Sequence, residues 1–408
     1  MKRYLSIFIY SISLVLTTAI CTFFVTALFF SARASGGKET VTIPLEEYRI
    51  LQGYEKLGTL RQGIHQYFYQ PVQDDTLSEG AYYGMVESLK DPYSSYLSAE
   101  QMEALKEADS GIYIGIGATF LTDPNSGLLT VTRIYPGSPV AGSGVAVGDT
   151  LYSVNGTLAA GLDLPTITAM IRGEEGSTVT VEMQRGDQVK EYSFTRERIE
   201  IVDVETKMLD GDILLVRLYA FSTRADQAFA EALAQGLRNN MKGLIVDLRG
   251  NGGGSGAIVQ NIADELLPEG LIFYAEDNQG LREEYKSDAK RLDLPLALLT
   301  DGGSASASEI LVAAVQDYGV GSVIGQKTFG KAIGQATLPI FDDGSGLYIT
   351  TVGVYSPKGR TWHGTGLQPD QSVELPQELI DNPLLLTGDS DTQLQAALEL
   401  LRSGGAAN

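Results

Sequence analysis

Asp301-Gly-Gly-Ser304-Ala-Ser306-Ala-Ser308-Glu-Ile310 is the stretch that decides the fold of this 408-residue chain. It follows an apolar run, Leu294–Thr300, which predicts a short buried strand, and its Asp-Gly-Gly opening is typical of a turn. From Ser306 to Val315 the apolar residues recur at helical spacing, so the order strand, loop, helix is predicted. A serine at a helix N-terminus is often only a cap, but the free N–H groups there also suit an oxyanion.

A second segment, Phe329-Gly-Lys331-Ala-Ile-Gly-Gln335, places a lysine in an apolar setting, with no acidic residue within five positions on either side. Burial lowers the pKa of a lysine, by up to about 3–5 units when it is complete, and a neutral lysine can take a serine proton. In a strand, Lys331 and Gln335 would share one face, where the Gln335 amide could orient the amine. The two segments together predict a serine nucleophile with a lysine base.

Three motifs, SASASEI, QDYG and TFGKAIGQ, occur in this order between Ser304 and Gln335. They resemble the motifs of the C-terminal processing (tail-specific) peptidases, a family of Ser-Lys proteases with a PDZ domain. The resemblance implies that Ser306 is the nucleophile, that Lys331 is the base and that Gln335 orients the lysine. The spacing between Ser306 and Lys331 agrees with that of the family.

The stretch Val246–Gly254 resembles the D-L-R-x-N-P-G-G turn of the same family, which helps to build the oxyanion hole. Gly243–Leu248 predicts a buried strand, and the glycines after it let backbone N–H groups approach a ligand closely. Gly252 stands where the family has proline. The resemblance implies that the N–H groups of Gly253 and Ala307 hold the oxyanion.

Residues 109–197 predict short strands and one helix, and the stretches Gly137–Asp149 and Leu151–Gly156 resemble the landmarks of a PDZ domain. Such domains add an extended peptide as a strand and hold its terminal carboxylate in a nest of backbone N–H groups. The matching loop is Tyr113-Ile114-Gly115-Ile116-Gly117, beside an apolar groove. The expected partners are protein or peptide substrates with apolar C-termini. The domain would either tether substrate or block the active site until a peptide displaces it.

Lys2-Arg3 precede an apolar run from Leu5 to Phe30. This run is long enough to span about 30 Å of hydrocarbon and longer than a signal-peptide core of about 7–15 residues. The basic pair predicts that the N-terminus lies inside and the remainder outside. Ala32-Arg-Ala34 is compatible with cleavage, but an uncleaved signal anchor is favoured. Both interpretations place the catalytic part outside the cytoplasm, and the uncleaved anchor also holds it at the cell membrane.

The net charge of −21 and the pI of about 4.5 argue against nucleic acid and anionic membrane surfaces as the main partner. The single cysteine, Cys21, lies in the apolar run, so no disulfide can form within the chain. The sequence shows no CxxC motif and no His/Cys cluster, so neither a metal nor a cofactor is predicted.

The sequence therefore predicts an α+β multidomain serine endopeptidase, anchored in the membrane by a single pass and homodimeric if it follows the family. Its predicted parts are a transmembrane signal anchor (1–31), an N-terminal helical region (40–108), a PDZ β-barrel domain (109–197), an α/β Ser-Lys peptidase core (198–375) and a C-terminal helical tail (376–408). Two alternatives stay open. One is a catalytically degenerate PDZ scaffold tethered to the membrane, and the other is a Ser-His hydrolase that uses His363.

Overall fold

The computed structural model describes residues 2–34, 42–122, 128–162, 164–201, 203–377, 379 and 389–403. The chain divides into two compact units, Met1–Ala81 and Tyr82–Asn408, which are described separately. Of the predicted C-terminal tail, residues 378, 380–388 and 404–408 lie outside the described residues.

The first unit consists of helices. They are α1 (Lys2–Ala34), α2 (Leu45–Gly53), α3 (Glu55–Tyr67) and the first part of α4 (Asp74–Glu87). Within α1, the stretch Tyr10–Leu28 is long and apolar enough to cross a membrane. Its threonine hydroxyls donate to carbonyl oxygens four residues earlier at 2.5–2.8 Å, and these threonines are Thr17, Thr18, Thr22 and Thr26. The helix therefore satisfies these polar groups internally, as a hydrocarbon environment requires.

The second unit contains a small sheet domain between residues 112 and 200. In chain order this unit begins with β1 (Ser95–Leu97), α5 (Ala99–Asp109), β2 (Ile112–Gly115), β3 (Ala118–Thr122), β4 (Leu129–Ile134), β5 (Thr150–Val154), β6 (Thr157–Leu158), α6 (Leu164–Ile171), β7 (Thr178–Arg185), β8 (Gln188–Thr195) and β9 (Glu197–Glu200). Strands β3, β4, β5, β7 and β8 pair in this order, with β6 beside β5 and with β2 paired separately to β9. Alternating residues of the strands pack with α6 into one core, which includes Val131, Ile167 and Val181. Among the described strands this order is open, so a closed barrel stays a prediction.

The remainder of the second unit forms two larger sheets with helices. Its elements are β10 (Val204–Leu209), β11 (Ile213–Leu218), α7 (Ala225–Arg238), β12 (Gly243–Asp247), α8 (Gly256–Asp264), β13 (Gly270–Asp277), β14 (Arg282–Ser287), β15 (Leu296–Thr300), α9 (Ala307–Tyr318), β16 (Ser322–Gly325), β17 (Ile333–Leu338), β18 (Gly346–Tyr355), β19 (Gln371–Ser372) and α10 (Thr392–Arg402). The strand, loop and helix predicted around Ser306 are confirmed as β15, its following loop and α9.

The first of these sheets has six strands in the order β10-β11-β12-β15-β16-β19, parallel except for β10. Because successive residues of a strand point to opposite faces, β11 contributes to two cores. Leu214 and Val216 pack with α7, α8 and α9, whereas Ile213 and Leu215 pack with α10. Helices therefore cover both faces, and the carboxyl ends of the parallel strands meet at one edge.

The second sheet has five strands, in the order β1-β18-β13-β14 with β17 beside β18. The region predicted as helical between residues 40 and 108 thus contains one strand, β1, whose residues Ser95–Leu97 pair antiparallel with β18. The prediction was wrong there because the partner strand lies about 250 residues away along the chain and leaves no local pattern.

A buried ion-pair cluster attaches α10 to the main sheet. Arg249, directly after β12, donates to Asp247 at 2.7 Å and to Asp391 at 2.8 Å, and all three side chains are almost completely buried. Burial raises the pKa of Asp247, but the guanidinium of Arg249 outweighs it and holds that pKa below its ordinary value. The carboxylate of Asp391 also accepts from the N–H of Leu394 and caps α10.

Candidate active site

A cleft of about 780 Å³ lies between the carboxyl edge of the six-stranded sheet and the face of the five-stranded sheet. Ligands of open α/β sheets commonly bind at this edge. The residues that line it include Ser306, Ala307, Lys331 and Gln335. The structure therefore brings into one cleft the predicted nucleophile, the predicted base and the residue predicted to orient the base.

Ser306 stands at the N-terminus of α9 with φ of 56° and ψ of −115°. A non-glycine residue rarely adopts a positive φ, and such strain persists only when the surroundings enforce it. Gly253 is part of these surroundings, because a Cβ atom there would lie 2.7 Å from Ser306 Cβ and 2.9 Å from Ala307 N. Only glycine therefore leaves room beside the serine and the first N–H of the helix.

The other two serines of the motif make structural hydrogen bonds. Ser304 Oγ donates to the carbonyl oxygen of Leu248 at 2.8 Å, and Ser308 Oγ donates to that of Asn251 at 2.9 Å. Both serines are completely buried, and neither lines the cleft. Of the three motif serines, Ser306 is the one that a substrate in this cleft would meet.

Lys331 precedes β17, and its ammonium group lies 4.7 Å from the ring centroid of Tyr93. Burial lowers the pKa of Lys331 below its ordinary value, and the negative charge of Asp91 opposes this shift. Because this lysine has a lowered pKa in a cleft that Ser306 also lines, it is a candidate general base.

The turn that follows α4 supplies the surroundings of this lysine, and sequence reasoning missed it. Asp91 accepts from the Tyr93 N–H at 3.1 Å and from Ser94 Oγ at 2.6 Å. Burial raises the pKa of Asp91, but the hydrogen bonds from Ser94, Thr350 and the Tyr93 N–H outweigh it and lower that pKa. The signal in the sequence is Asp91-Pro-Tyr-Ser, which is typical of a side-chain-bonded turn. It gives no hint that the turn lies beside Lys331.

Gln335 lies in β17, but not as the simple alternation predicts. The register of β17 against β18 shifts between Gly334 and Gln335, so positions 331, 333 and 335 do not share one regular strand face. The amide NH₂ of Gln335 donates to Thr350 Oγ1 at 3.1 Å. Only its carbonyl oxygen can then accept from an amine. The role of Gln335 in orienting Lys331 stays a prediction.

The predicted oxyanion donors differ in their surroundings. The N–H of Ala307 stands in the first turn of α9, where helix N–H groups lack intrahelical partners. The N–H of Gly253 donates to Asn251 Oδ1 at 2.9 Å. An oxyanion would have to share or replace that bond, so the role of Gly253 stays a prediction. The fully buried Asn251 was missed as the residue that orients this turn.

The histidine that the alternative mechanism needs lies elsewhere. His363 is exposed, its ring centroid is 6.3 Å from that of Tyr93, and it is not among the residues that line the cleft. His65 contacts Asp74 at 2.6 Å in the first unit. In the described part of the chain no three metal-ligating side chains come together.

In the predicted carboxylate loop, Tyr113 folds back onto its own backbone. A Cβ atom on Gly115 would lie 2.7 Å from the Tyr113 ring, and the backbone of Gly117 forms a hydrogen bond with the Tyr113 hydroxyl. Burial raises the pKa of this phenol, and Arg172 stacks 5.3 Å from the ring centroid. The side chain of Tyr113 therefore occupies part of the loop.

The two isoleucines of this loop have different surroundings. Ile116 is buried in the core of the small sheet domain, and its carbonyl oxygen accepts from the Val140 N–H at 3.1 Å. Ile114 is half-buried and pairs with Arg198 of β9. Carboxylate binding by this loop stays a prediction.

Replacing Asp91 by asparagine is expected to shift the pH dependence of catalysis. The negative charge of Asp91 raises the pKa of Lys331, so its removal lowers that pKa and increases the neutral amine at a given pH. The rising limb of kcat/KM against pH should therefore move to lower pH. Tyr93, whose ring lies 4.7 Å from the Lys331 ammonium group, is unchanged, and so is His363, whose ring lies 6.3 Å from that of Tyr93.

The exposed Asp342→Asn change is the matched control and should leave the limb in place. If the rising limb of the Asp91 variant moves to higher pH or does not move, the charge of Asp91 does not raise the pKa of the catalytic base.

Three regions of the chain match known protein families. Residues 212–373 match Peptidase family S41, residues 15–101 match the activating protease CtpB N-terminal domain, and residues 130–185 match a PDZ domain. A protein of Staphylococcus aureus (strain MSSA476), named a CtpA-like serine protease, is 30% identical over 370 residues, which cover 90% of this chain and 72% of the relative. A protein of Staphylococcus epidermidis with the same name is 30% identical over 350 residues, which cover 84% and 70%.

A solved structure of similar fold is that of the photosystem II D1 C-terminal processing protease. It is 26% identical, aligns with a TM-score of 0.52, and covers 86% of this chain and 100% of its own.

Proposed function

The chain belongs to peptidase family S41, among the CtpA-like serine proteases, and on that premise we propose that it is a membrane-anchored endopeptidase with a Ser306-Lys331 dyad. The observation that carries the proposal is the cleft that Ser306 and Lys331 both line, with the pKa of the lysine lowered by burial. The PDZ domain, matched at residues 130–185, supports peptides or proteins as substrates.

In the proposed mechanism, neutral Lys331 takes the proton of Ser306 Oγ, which attacks the carbonyl carbon of the scissile peptide bond. The N–H groups of Ala307 and Gly253 hold the oxyanion, the latter after sharing its bond with Asn251. The protonated lysine then gives its proton to the leaving amine. Lys331 then takes a proton from water, whose oxygen attacks the acyl carbon; the bond from that carbon to Ser306 Oγ breaks, and Lys331 returns the proton to Oγ as the acid product leaves. Gln335 orients the lysine through its carbonyl oxygen.

The proposed location follows from α1. Its stretch Tyr10–Leu28 is apolar and exposed, which supports a single-pass anchor. The basic pair Lys2-Arg3 before it favours a cytoplasmic N-terminus, so the peptidase part would lie outside the cytoplasm. The proposed parts keep the boundaries 1–31, 40–108, 109–197, 198–375 and 376–408, with a PDZ β-barrel at 109–197 and a homodimer as the proposed assembly.

Substrate recognition is proposed to begin at the PDZ domain. Strand β3 is an edge strand of its sheet, and α6 packs beside it. An extended peptide can therefore pair with β3 as an added strand. The loop from Tyr113 to Gly117 would then hold the terminal carboxylate, once the peptide displaces the Tyr113 hydroxyl from the Gly117 backbone. One similar structure is named a C-terminal processing protease, which agrees with recognition of a chain end.

We expect the purified full chain in detergent micelles to cleave an unstructured peptide that ends in apolar residues. Amidating the peptide C-terminus removes the charge and one acceptor oxygen, and a charge-assisted hydrogen bond contributes roughly 1.5–3 kcal/mol. Cleavage of the amidated peptide at limiting concentration should therefore be slower by about 10-fold or more. Fragments are identified by mass spectrometry.

Equal rates for the free and amidated peptides would show that the carboxylate is not recognised. Binding of the peptide without any cleavage would instead support the degenerate scaffold. A peptide with a free C-terminal carboxylate and an internal Asp-to-Asn change has the same total charge as the amidated peptide, so it controls for total charge. The PDZ domain either tethers substrate or blocks the active site until a peptide displaces it, and removing residues 109–190 distinguishes these two roles. Lower activity on long substrates would support tethering, whereas higher activity would support a blocking gate.

A further inference from the structure

The carboxylate of Glu309, in the first turn of α9, is completely buried. It accepts from Thr328 Oγ1 at 2.5 Å and from the Gly330 N–H at 2.8 Å through Oε1. Through Oε2 it accepts from the Ser306 N–H at 3.0 Å and from the Lys331 N–H at 2.7 Å. A carboxylate has about four lone-pair sites, so its accepting capacity is fully used.

No basic side chain within the described ranges forms an ion pair with this carboxylate, and hydrogen bonds from neutral donors take that role instead. A buried charge is costly unless it is hydrogen-bonded, so this arrangement depends on keeping all four donors in place. Glu309 is the third residue of its helix, and a glutamate at this position often accepts from the N-cap backbone. That capping role accounts for the bond to Ser306 alone. The bonds to residues 328, 330 and 331 need a different explanation.

The bond pattern joins the two segments of the dyad through a single atom. Oε2 of Glu309 bonds the backbone N–H of both Ser306 and Lys331, so these two nitrogens cannot lie further apart than the two bonds placed end to end. The loop before β17 is also held from its other side, because Thr328 Oγ1 accepts from the Leu367 N–H at 2.8 Å. The phenylalanine between these contacts, Phe329, is exposed, so the loop has little apolar packing of its own there.

We propose that Glu309 is a positioning residue, whose carboxylate fixes the backbone of Ser306 against that of Lys331 so that amine and hydroxyl meet in reactive geometry. This inference rests on the proposed function, because it gives Glu309 the role of supporting the Ser306-Lys331 dyad. It adds a residue whose carboxylate bonds neither Ser306 Oγ nor the Lys331 amine. The same contact would help to enforce the positive φ of Ser306, since its N–H is one of the four donors.

The test is Glu309→Gln, which keeps the size of the side chain but leaves one oxygen to accept. An amide NH₂ in place of Oε2 loses the bonds from both Ser306 and Lys331, and one in place of Oε1 loses the bond from Gly330 and must donate to Thr328, so either orientation weakens the hold on the lysine loop. We expect kcat to fall by roughly 10²-fold, as for a displacement of about 1 Å in reacting groups, with KM changed by less than about 3-fold.

A pH profile gives a second readout. If the lysine loop is released, the amine becomes better solvated and its pKa returns toward the ordinary value, so the rising limb of kcat/KM moves to higher pH. Asp91 and Tyr93, which lie beside this amine, remain unchanged, as does His363, whose ring lies 6.3 Å from that of Tyr93. An unchanged kcat, or a limb at the wild-type pH together with a reduced kcat, would overturn the proposal.

Asp317→Asn is the matched control for lost stability. Asp317 is also buried, accepts from the Lys358 N–H at 2.9 Å and pairs with Arg360 at 2.6 Å, but it is not among the residues that line the cleft. Assays on a short peptide below both melting temperatures should show near-normal kcat for this variant. Equal losses of kcat in the two variants would reduce the role of Glu309 to stability.

Thr328→Val and Thr328→Ser keep the proposal testable if Glu309→Gln does not fold. Valine removes one donor to Glu309 Oε1 and should lower kcat by about 10-fold, whereas serine keeps the hydroxyl and should restore it. Equal activity of the two variants would contradict the proposal. If the proposed Ser306-Lys331 dyad is itself wrong, Ser306→Ala would retain activity, and this outcome is distinct from those for Glu309 and Thr328.

Discussion

Replacing Ser306 by alanine or by glycine is expected to reduce peptide cleavage by roughly 10⁴-fold or more, because the nucleophile of an interdependent catalytic set is lost. Two variants are needed because Ser306 has a φ of 56°, which strains alanine but suits glycine. Ser306→Gly removes the hydroxyl and also relieves the backbone. Inactivity in both variants, with a wild-type melting temperature for the glycine variant, assigns the loss to chemistry rather than to folding.

Ser304→Ala and Ser308→Ala are the controls within the same motif. Each removes a buried hydroxyl that donates to a backbone carbonyl, of Leu248 and Asn251 respectively. Such a bond contributes about 1 kcal/mol, so these variants should unfold at lower temperature yet keep turnover near the wild-type value. A Ser306→Ala protein with near-normal turnover, alongside an inactive Ser304 or Ser308 variant, would move the nucleophile to another serine.

The predicted features that the structure reproduces best have local causes. Leu296–Thr300 forms a strand because its apolar run is short and follows a proline, and Ala307–Tyr318 forms a helix because its apolar spacing is helical. The placement of Ser306 between them needed no long-range information. That Ser306 and Lys331 line one cleft could be predicted from the sequence, because both residues belong to recognisable motifs that are close together in the chain.

The surroundings of Lys331 could not be predicted in the same way. Asp91 and Tyr93 lie beside it only because β1, just after their turn, pairs with β18. The Gln335 side chain departs from simple alternation because of a register shift, which side-chain period alone does not reveal. Glu309 was visible in the first motif, but it is indistinguishable from an ordinary helix-capping glutamate until the residue-331 loop packs against it.

Replacing Lys331 by arginine is expected to abolish cleavage at every pH at which the protein is folded, by roughly 10⁴-fold or more. Arginine keeps the positive charge and can still stack on Tyr93, which lies 4.7 Å from the lysine ammonium. It cannot act as a base, because its guanidinium stays protonated at any usable pH. In the wild type, burial lowers the pKa of Lys331, so kcat/KM should rise with pH through a value below about 10.4, the pKa of a free lysine.

Lys327→Arg is the matched control, since Lys327 is exposed and lies four residues earlier in the same loop. It should leave both turnover and the pH profile unchanged, which shows that the loop tolerates arginine. The measurement is cleavage of a fluorogenic peptide from about pH 6 to pH 10, with the melting temperature of each variant recorded at the same pH. If Lys331→Arg turns over substrate while Lys327→Arg behaves as wild type, the proton of Ser306 goes to another group, and the lowered pKa of Lys331 has no part in catalysis.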